Sequence, residues 1–573
     1  MAILWLNNLD KEIGVEHLRD SFNIFYKRSI NIADKYLIAT DVLTDIFENN
    51  DDLYIFKLYL EPVEIKIFKL TSDEQEIYIK FKETLERIKS TFGFKMHAPE
   101  LDLAISDFDD LIEFISVASN KYCFESFLES DLKKVSSYFL LNSMEEHIYE
   151  ELLQESKKDR KRIIKRIVYT CLKRVNNIQF PWGSLSGIRP SFVAGQLWQK
   201  IEEICEKQID TYKDRHISRS AFVAKCLEDF YDVSRYKACL ATDVAERERI
   251  LLCDIPDDAI CMYIHIPFCS TRCTYCSFPA KDGIARDEEV HDLYIEALLS
   301  ELELFFKNNE KTIYCLYIGG GTPSVFNCSQ IKYFLSELNK VVPLSNIVEK
   351  TFEAGRIDSL SKEKLEVISE ASFDRICINP QSMNEETLRK INRSSNLEMM
   401  PELIAHSREQ GINYINSDLI AGLKDESPDD FYTSLQKLLK LNVDSISLHS
   451  LALKKKSTSW SLGINDEIEF NYEKIFNKAC DLLISEGYKP YYLYRNKVAI
   501  AGLENISFAK HDKYCLYNIM MMSDKFRVIS FGAGSMSKNI INGNIKRLAT
   551  APTVEYYLKN YQNIALQKRA FFK

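Results

Sequence analysis

The stretch Ile260-Cys261-Met262-Tyr263-Ile264-His265-Ile266-Pro267-Phe268-Cys269-Ser270-Thr271-Arg272-Cys273-Thr274-Tyr275-Cys276 joins a buried-strand pattern to a loop carrying three cysteines. Residues 260–266 are mostly apolar and end at a proline, which lacks the N–H a ladder needs. The same pattern repeats toward the C-terminus. Apolar runs at Thr312–Ile318, Ile347–Ala354, Phe373–Asn379, Tyr414–Ile420 and Val443–His449 read as strands. Helical periodicity follows or separates them at Glu289–Phe306, Ser329–Val341, Ser361–Glu370, Glu385–Ile391, Glu398–Glu409 and Asp429–Leu441. Strands alternating with helices specify a parallel sheet covered by helices, open or curled into a partial barrel. Ligands of such folds bind beyond the carboxyl ends of the strands, so chemically unusual residues are expected just after each run.

The rest of the chain is organised around this α/β core, expected over 256–455. Residues 1–155 read as a small α+β domain of unknown role. It carries a hairpin formed by Leu53–Tyr59 and Val63–Lys69 across Glu61-Pro62, and a helical stretch at Glu74–Ser90. Residues 156–255 read as a helical connector, and 456–573 as a C-terminal extension. Within the connector nine of the eighteen residues from Lys157 to Arg174 are Lys or Arg, threaded by Ile163, Ile164, Ile167, Val168, Cys171, Leu172 and Val175. That is an amphipathic helix whose basic face is either simply solvated or attracts an anionic ligand or acidic redox partner.

Composition narrows the class. The chain has 573 residues, a formal net charge of −10, 46% hydrophobic and 28% charged residues, so it is neither disordered nor collagen-like. The acidic balance argues against a nucleic-acid binder. No window approaches 18 uninterrupted apolar residues, and the N-terminus lacks the features of a secretory signal, so a cytoplasmic location is expected. Thiols stay reduced there. The 15 cysteines are an odd number and mostly scattered, which argues against a disulfide framework.

Three of them differ from the others. Cys269, Cys273 and Cys276 are spaced C-x3-C-x2-C in one loop. A zinc site commonly uses two C-x2-C pairs, and no second pair follows. Three thiolates are also one short of the four that fill a cubane iron–sulfur cluster. The shortage makes sense if the fourth iron takes a non-protein ligand, as S-adenosylmethionine (SAM) does through its amino and carboxylate groups. The second strand runs into Gly319-Gly320-Gly321-Thr322-Pro323-Ser324, in a chain with only 18 glycines. Bare backbone there approaches something closely, and the Lys-Ser/Thr of a phosphate-binding loop is missing. Glu353 follows from the third strand, Gln381 and Arg393 from the fourth, and Asp418 from the fifth. The carboxylates suit an amino group or ribose hydroxyls, the arginine a carboxylate, and the amide can donate and accept.

The C-x3-C-x-aromatic-C loop resembles that of the radical SAM superfamily. The YxHIPFC start, GGGTPS, the Gln after the fourth strand and the DLI-x-GL segment resemble its coproporphyrinogen dehydrogenase (HemN-like) branch. The closest resemblance within it is to the HemZ type. It rests on Trp182-Gly183-Ser184-Leu185-Ser186-Gly187-Ile188-Arg189-Pro190, Glu353-Ala354-Gly355-Arg356, Asn379-Pro380-Gln381, Pro490-Tyr491-Tyr492-Leu493-Tyr494-Arg495, Leu516-Tyr517-Asn518-Ile519 and Phe531-Gly532-Ala533-Gly534-Ser535.

The resemblance implies a [4Fe–4S] cluster on Cys269, Cys273 and Cys276, with Tyr275 packed beside it and the adenine. It implies SAM held by Gly320, Gly321, Thr322, Glu353, Gln381, Arg393 and Asp418. Tyr263 would lie between cluster and substrate, and His265 would orient the loop, or else be a satisfied strand residue. The implied reaction is oxygen-independent conversion of coproporphyrinogen III to protoporphyrinogen IX, fed by a low-potential donor such as flavodoxin or ferredoxin. Arg272 or Arg356 would meet the substrate's propionates. The sequence departs from the family's well-known decarboxylases at Phe278, which stands where they carry a fourth cysteine. HemW-type heme chaperones share that loss, so heme carriage with a retained cluster, and radical SAM heme breakdown, are the alternatives.

Overall fold

The computed structural model describes residues 2–6, 30–33, 36–39, 54–60, 63–69, 152, 166, 169, 173, 179–185, 189–207, 219–276, 287–308, 311–394, 396–452, 466–496 and 499–573. The chain divides into two compact units, one of 1–186 with 197–238 and one of 187–196 with 239–573.

The first unit contains a five-stranded sheet in the order β2-β3-β1-β4-β5, with β1 at Ala2–Leu6, β2 at Ile30–Ala33, β3 at Tyr36–Ala39, β4 at Tyr54–Leu60 and β5 at Val63–Lys69. Strands β1 and β4 are parallel, and β4 and β5 form an antiparallel hairpin closing at Leu60↔Val63. The strict alternation Val63-Glu64-Ile65-Lys66-Ile67 is the period a half-buried strand requires. The expected helix at Glu74–Ser90 lies outside the described residues. Most of the basic segment does too, but two of its side chains are described. Arg166 and Lys173 both turn to Asp232, at 3.7 and 2.7 Å, so part of the basic character serves an internal ion pair. The connector resolves into helices α1 (Pro190–Lys207), α2 (Arg219–Tyr231) and α3 (Arg235–Leu252).

The second unit is built on one eleven-stranded sheet. Its centre is six parallel strands: β6 (Ile260–Ile266), β7 (Ile313–Gly320), β8 (Glu349–Gly355), β9 (Arg375–Ile378), β10 (Tyr414–Ala421) and β11 (Ser445–Ser450). Between them run α4 (Glu288–Phe306), α5 (Cys328–Val341), α6 (Lys362–Glu370), α7 (Glu385–Lys390), α8 (Met400–Glu409) and α9 (Pro428–Leu439). Local chemistry starts most of these helices. Asp287, Asn327, Ser361, Asn384 and Ser427 each accept a hydrogen bond from a first-turn N–H, and Pro428 occupies the first turn of α9. Each such cap contributes about 1 kcal/mol.

The segment expected as a separate C-terminal extension adds strands to both sides of the same sheet. Antiparallel β12 (Lys489–Arg495) and β13 (Glu504–Ala509) continue beyond β11, with β13 beside it. On the other side β14 (Arg527–Phe531) pairs parallel to β6, and β15 (Met536–Ile541) and β16 (Asn544–Ala549) follow. The ladder therefore ends at β12 and β16 and does not close into a barrel. Three further helices are α10 (Asp466–Ser485), α11 (Leu516–Met522) and α12 (Val554–Phe571). Helix α11 packs against β6, β7 and β12, and α12 packs along α4. Among the described residues no helix is long and apolar enough to cross a membrane.

Candidate active site

The cysteine loop leaves β6 and is tied at both ends. At its start Gly321 N donates to Ile266 O (2.8 Å) and Thr322 N to Phe268 O (2.7 Å). At its end Thr274 N donates to Ile391 O (3.1 Å) and Asn392 Nδ2 to Arg272 O (2.8 Å). The triple glycine is what permits the first tie. A Cβ on Gly319 would stand 2.3 Å from Glu353 Oε2, one on Gly320 2.2 Å from the His265 ring, and one on Gly321 2.4 Å from Phe268 O. Gly320 also has φ +114°, which disfavours any side chain. The segment is a close-approach element rather than a plain turn.

This arrangement brings Cys269, Cys273, Tyr275, Cys276, Gly320, Gly321, Thr322, Glu353, Gln381 and Arg393 to the wall of one cavity, together with Arg272, Gly355, Arg356 and Asn379. Thr322 Oγ1 lies 3.5 Å from Cys269 Sγ, while Arg356 Nη1 and Arg393 Nη1 lie 3.5 and 3.8 Å from Cys273 Sγ. Two guanidinium groups therefore converge on one sulfur of the loop. Burial pushes the Cys269 thiol up to about 11, and the Thr322 hydroxyl opposes that rise. Among the described residues no three His, Cys, Asp or Glu side chains converge as ligands of a single ion would. The three thiols instead share the cavity wall.

Two observations show that the cavity fits a polar ligand. The side-chain oxygens of Gln381 and Asn379 are buried there without a hydrogen-bond partner, which costs free energy unless a ligand satisfies them. Gln381 is also held at φ +69°, with its N–H on Asp418 O and its carbonyl receiving Ile420 N–H, both at 2.9 Å. A non-glycine residue in the left-handed region stores strain, and such strain concentrates at sites. Three thiols, unpaired amide oxygens and a glycine cradle therefore fit a cluster-bound nucleotide cofactor. Cys269, Cys273 and Cys276 would hold the iron and the strand-end polar groups the nucleotide.

Two arginines of the cavity wall are held by hydrogen bonds. Arg356, a candidate for the substrate's propionates, is 3% exposed and grips Asp358 with two hydrogen bonds of 2.9 and 2.8 Å. It is committed to Asp358 and Cys273. Arg393 donates from Nη2 to Gly355 O (2.8 Å) and to Asn379 O, linking the ends of β8 and β9. His265 does not reach the cavity. It is buried, with Nδ1 on Ala533 O and its ring against Gly320, and burial lowers its pKa so that the imidazole is neutral.

Tyr263 and Asp418 belong to a second group beside the cavity. Along the strands, solvent reaches Tyr263 on β6, Tyr317 on β7, Glu353 on β8, Asp418 on β10 and His449 on β11, each between buried neighbours. Tyr494 on β12 is accessible as well. Electrostatic coupling places them together, since Tyr317 senses Glu353 and Asp418, Tyr494 senses Asp418, and His449 senses Asp418 and Glu353. The rings of Tyr263, Tyr317 and Tyr517 gather with centroids 4.8 to 6.1 Å apart. Asp418 Oδ1 accepts from Asn416 Nδ2 (2.8 Å) and Oδ2 lies 3.8 Å from His449 Nε2. Burial, reinforced by the Asp418 charge, pushes the Glu353 carboxyl up to about 7.

Sequence reasoning did not find Tyr317, His449 or Asn505, and named Tyr517 only within a family marker. A signal existed for His449, which ends the sixth strand run and falls under the same strand-end rule that picked out Asp418.

Comparison with known proteins gives the relatives of the chain. Residues 263–438 match the model of the Radical SAM superfamily. The chain is 30% identical over 431 residues to the oxygen-independent coproporphyrinogen-III oxidase-like protein HemZ of Bacillus subtilis (strain 168), covering 72% of this chain and 81% of that protein. It is 30% identical over 263 residues to the heme chaperone HemW of Lactococcus lactis, covering 44% of this chain and 66% of the chaperone. Among solved structures it is similar to coproporphyrinogen III oxidase (HemN) from Escherichia coli, at 21% identity and a TM-score of 0.45 over 56% of this chain and 73% of that one. With the three-cysteine loop on its strand-end cavity and this extent of likeness to HemZ, the chain belongs to the radical SAM superfamily, in the HemZ-containing family of coproporphyrinogen-III oxidase-like proteins.

Proposed function

We propose that the protein is an oxygen-independent coproporphyrinogen III dehydrogenase. It would convert two propionates of the tetrapyrrole to vinyl groups, giving protoporphyrinogen IX. The observation that carries this reading is the likeness to HemZ along 81% of that protein's length, in a chain whose three-cysteine loop lies on a strand-end cavity. When bound, a [4Fe–4S] cluster with SAM supplies the radical that takes a hydrogen atom from the propionate β-carbon. The substrate then loses CO2 and passes one electron to a one-electron acceptor, leaving the vinyl double bond.

The chain's own residues bind, orient and exclude water. Cys269, Cys273 and Cys276 hold the cluster. Glu353 takes the amino group of SAM, with Gly320, Gly321 and Thr322 as its backbone cradle. Arg393 fixes the ends of β8 and β9, Gln381 offers its unpaired oxygen, and Asp418 takes ribose hydroxyls. Tyr263, with Tyr317 and Tyr517, forms an aromatic wall that limits water and stray hydrogen donors near the reacting carbon. A low-potential donor such as flavodoxin or ferredoxin supplies the reducing electron, and the basic residues between Lys157 and Arg174 suit an acidic protein of that kind.

The test is an anaerobic assay of reconstituted protein with SAM, reductant and coproporphyrinogen III. Chromatography of porphyrins and 5′-deoxyadenosine together is expected to show a mono-vinyl intermediate, then protoporphyrin, with about one 5′-deoxyadenosine per decarboxylation. A second reading, heme carriage with a retained cluster, is favoured by Phe278 and by the likeness to HemW. Heme binding without matching SAM consumption and without vinyl product would decide for it. Bleaching of added heme would instead point to heme breakdown.

Glu353 gives a separate expectation with a defined sign. Its carboxyl is pushed up to about 7 from the ordinary value of 4.5, so between those values the folded protein holds a proton there that the unfolded chain has lost. Between those values stability falls as pH rises, because the charged form is the one penalised. Glu353→Gln is therefore expected to match or exceed the wild type in urea midpoint at pH 8, with the difference vanishing toward pH 4.5. Equilibrium dialysis should show its SAM affinity reduced at pH 8. Lower stability at pH 8 with unchanged SAM affinity would remove Glu353 from the site.

A further inference from the structure

We propose that His449 is the carboxylate anchor of the tetrapyrrole site, its Nε2–H taking the propionate that reacts; this rests on the tetrapyrrole reading above. The substrate is a multiply charged anion, so its site needs a cation facing an accessible space. Arg356 is buried on Asp358, Arg393 is spent on backbone carbonyls, and Arg272 stands on the wall of the cysteine cavity. Of the accessible strand positions, His449 supplies the basic side chain beside Asp418, and Arg495, next to Tyr494, donates to Gly502 O.

Hydrogen bonding fixes the ring. Asn505 Nδ2 donates to Tyr494 O (3.5 Å), and Asn505 Oδ1 accepts from Ser450 N (3.2 Å), which sets the orientation of the amide. His449 Nδ1, 3.1 Å from that same Oδ1, must then carry a hydrogen and donate it. Burial works against a charged ring, but Asp418, Asn505 and Glu353 outweigh it and the net shift of the His449 pKa is upward. With Nδ1 donating to Asn505, a second proton on Nε2 gives the ring its charge. Nε2 is ion-paired with Asp418 Oδ2 at 3.8 Å, longer than a hydrogen bond, so a ligand oxygen can compete for its N–H. The His449 side chain is 27% exposed and Asp418 15%, so a ligand can reach the pair. A carboxylate held there sits beside Asp418, the residue read as the ribose partner.

The test is a binding measurement, independent of turnover. Anaerobic cluster-loaded wild type, His449→Gln, His449→Leu and His449→Arg are titrated with coproporphyrin III and with its tetramethyl ester by porphyrin absorbance. SAM affinity and cluster absorbance are followed in parallel. Loss of a charge-assisted hydrogen bond is expected to weaken coproporphyrin III binding about tenfold or more in H449Q and H449L. H449R should stay within about threefold of wild type, because a guanidinium also pairs with a carboxylate. The tetramethyl ester should bind all four proteins with similar weakness. Wild-type affinity in H449Q and H449L would overturn the anchor, and so would a loss confined to SAM binding. Failure of the wild type itself to bind either porphyrin would overturn the tetrapyrrole reading, and the anchor with it.

Discussion

Cys273→Ala will leave a protein that neither assembles an iron–sulfur cluster nor cleaves SAM. Three thiols are already one fewer than a cubane cluster takes from protein, so no spare ligand remains to compensate. Cys273 is also the sulfur on which two guanidinium groups converge, Arg356 at 3.5 Å and Arg393 at 3.8 Å. Its removal takes away the sulfur those two groups face. Neither arginine would move far, because Arg356 is held by Asp358 and Arg393 by Gly355 and Asn379. The cavity would persist without its iron. Cys261→Ala and Cys315→Ala are the controls. Both are fully buried on β6 and β7, in contact with Met520 and away from the loop. After anaerobic reconstitution, C273A should fall to background in iron, sulfide and 5′-deoxyadenosine, while the controls keep all three. A C273A protein with wild-type iron content and SAM cleavage would refute the assignment of the loop.

The central strands were legible because their signal is local. β6 spans Ile260–Ile266, the run expected from apolar composition and the following proline. β7 was placed at Thr312–Ile318 but extends to Gly320, because Gly319 and Gly320 still pair with His265 and Ile266. Glycine composition announced a loop where the neighbouring strand enforced a ladder. The cavity was legible for the same reason as the strands, since one rule about strand ends selected its lining. Long-range pairings were not legible. Nothing in the sequence near Leu503 or Phe526 says that β13 will lie beside β11 and β14 beside β6. His449 and Asn505 meet only because those edges were extended, 56 positions apart in the chain. Arg356 was read as a free cation because its capture by Asp358, two residues on, depends on a turn the periodicity does not report.

Replacing Lys568 with Met should cost about 3–5 kcal/mol of stability, the range for breaking one partner of a buried ion pair. Lys568 on α12 and Glu301 on α4 are 1% and 0% exposed, with Nζ 2.5 Å from Oε1. Glu301 Oε2 also accepts from Tyr557 OH (2.6 Å) and Gly532 N (3.0 Å). K568M would leave that carboxylate buried with its charge uncompensated. The consequence should reach the cofactor site through backbone geometry. Gly532 sits at φ +92°, where a Cβ would lie 2.5 Å from both His265 O and the Tyr294 hydroxyl. Ala533 accepts from His265 Nδ1, and Tyr294 OH donates to His265 O (2.8 Å) while accepting from Ala533 N (2.9 Å). The His265 ring in turn packs on Gly320. Any shift of the 532–533 turn therefore moves the glycine cradle. K568M is expected to lower the urea midpoint and weaken SAM binding together. Glu301→Met combined with Lys568→Met should recover much of the stability, because removing both charges leaves no uncompensated buried charge. It should not recover the SAM affinity in full, because Gly532 N and Tyr557 OH lose their common acceptor. A K568M protein with the wild-type midpoint would show that the pair contributes nothing, and normal SAM affinity at a lowered midpoint would show that α12 stabilises the unit without positioning His265.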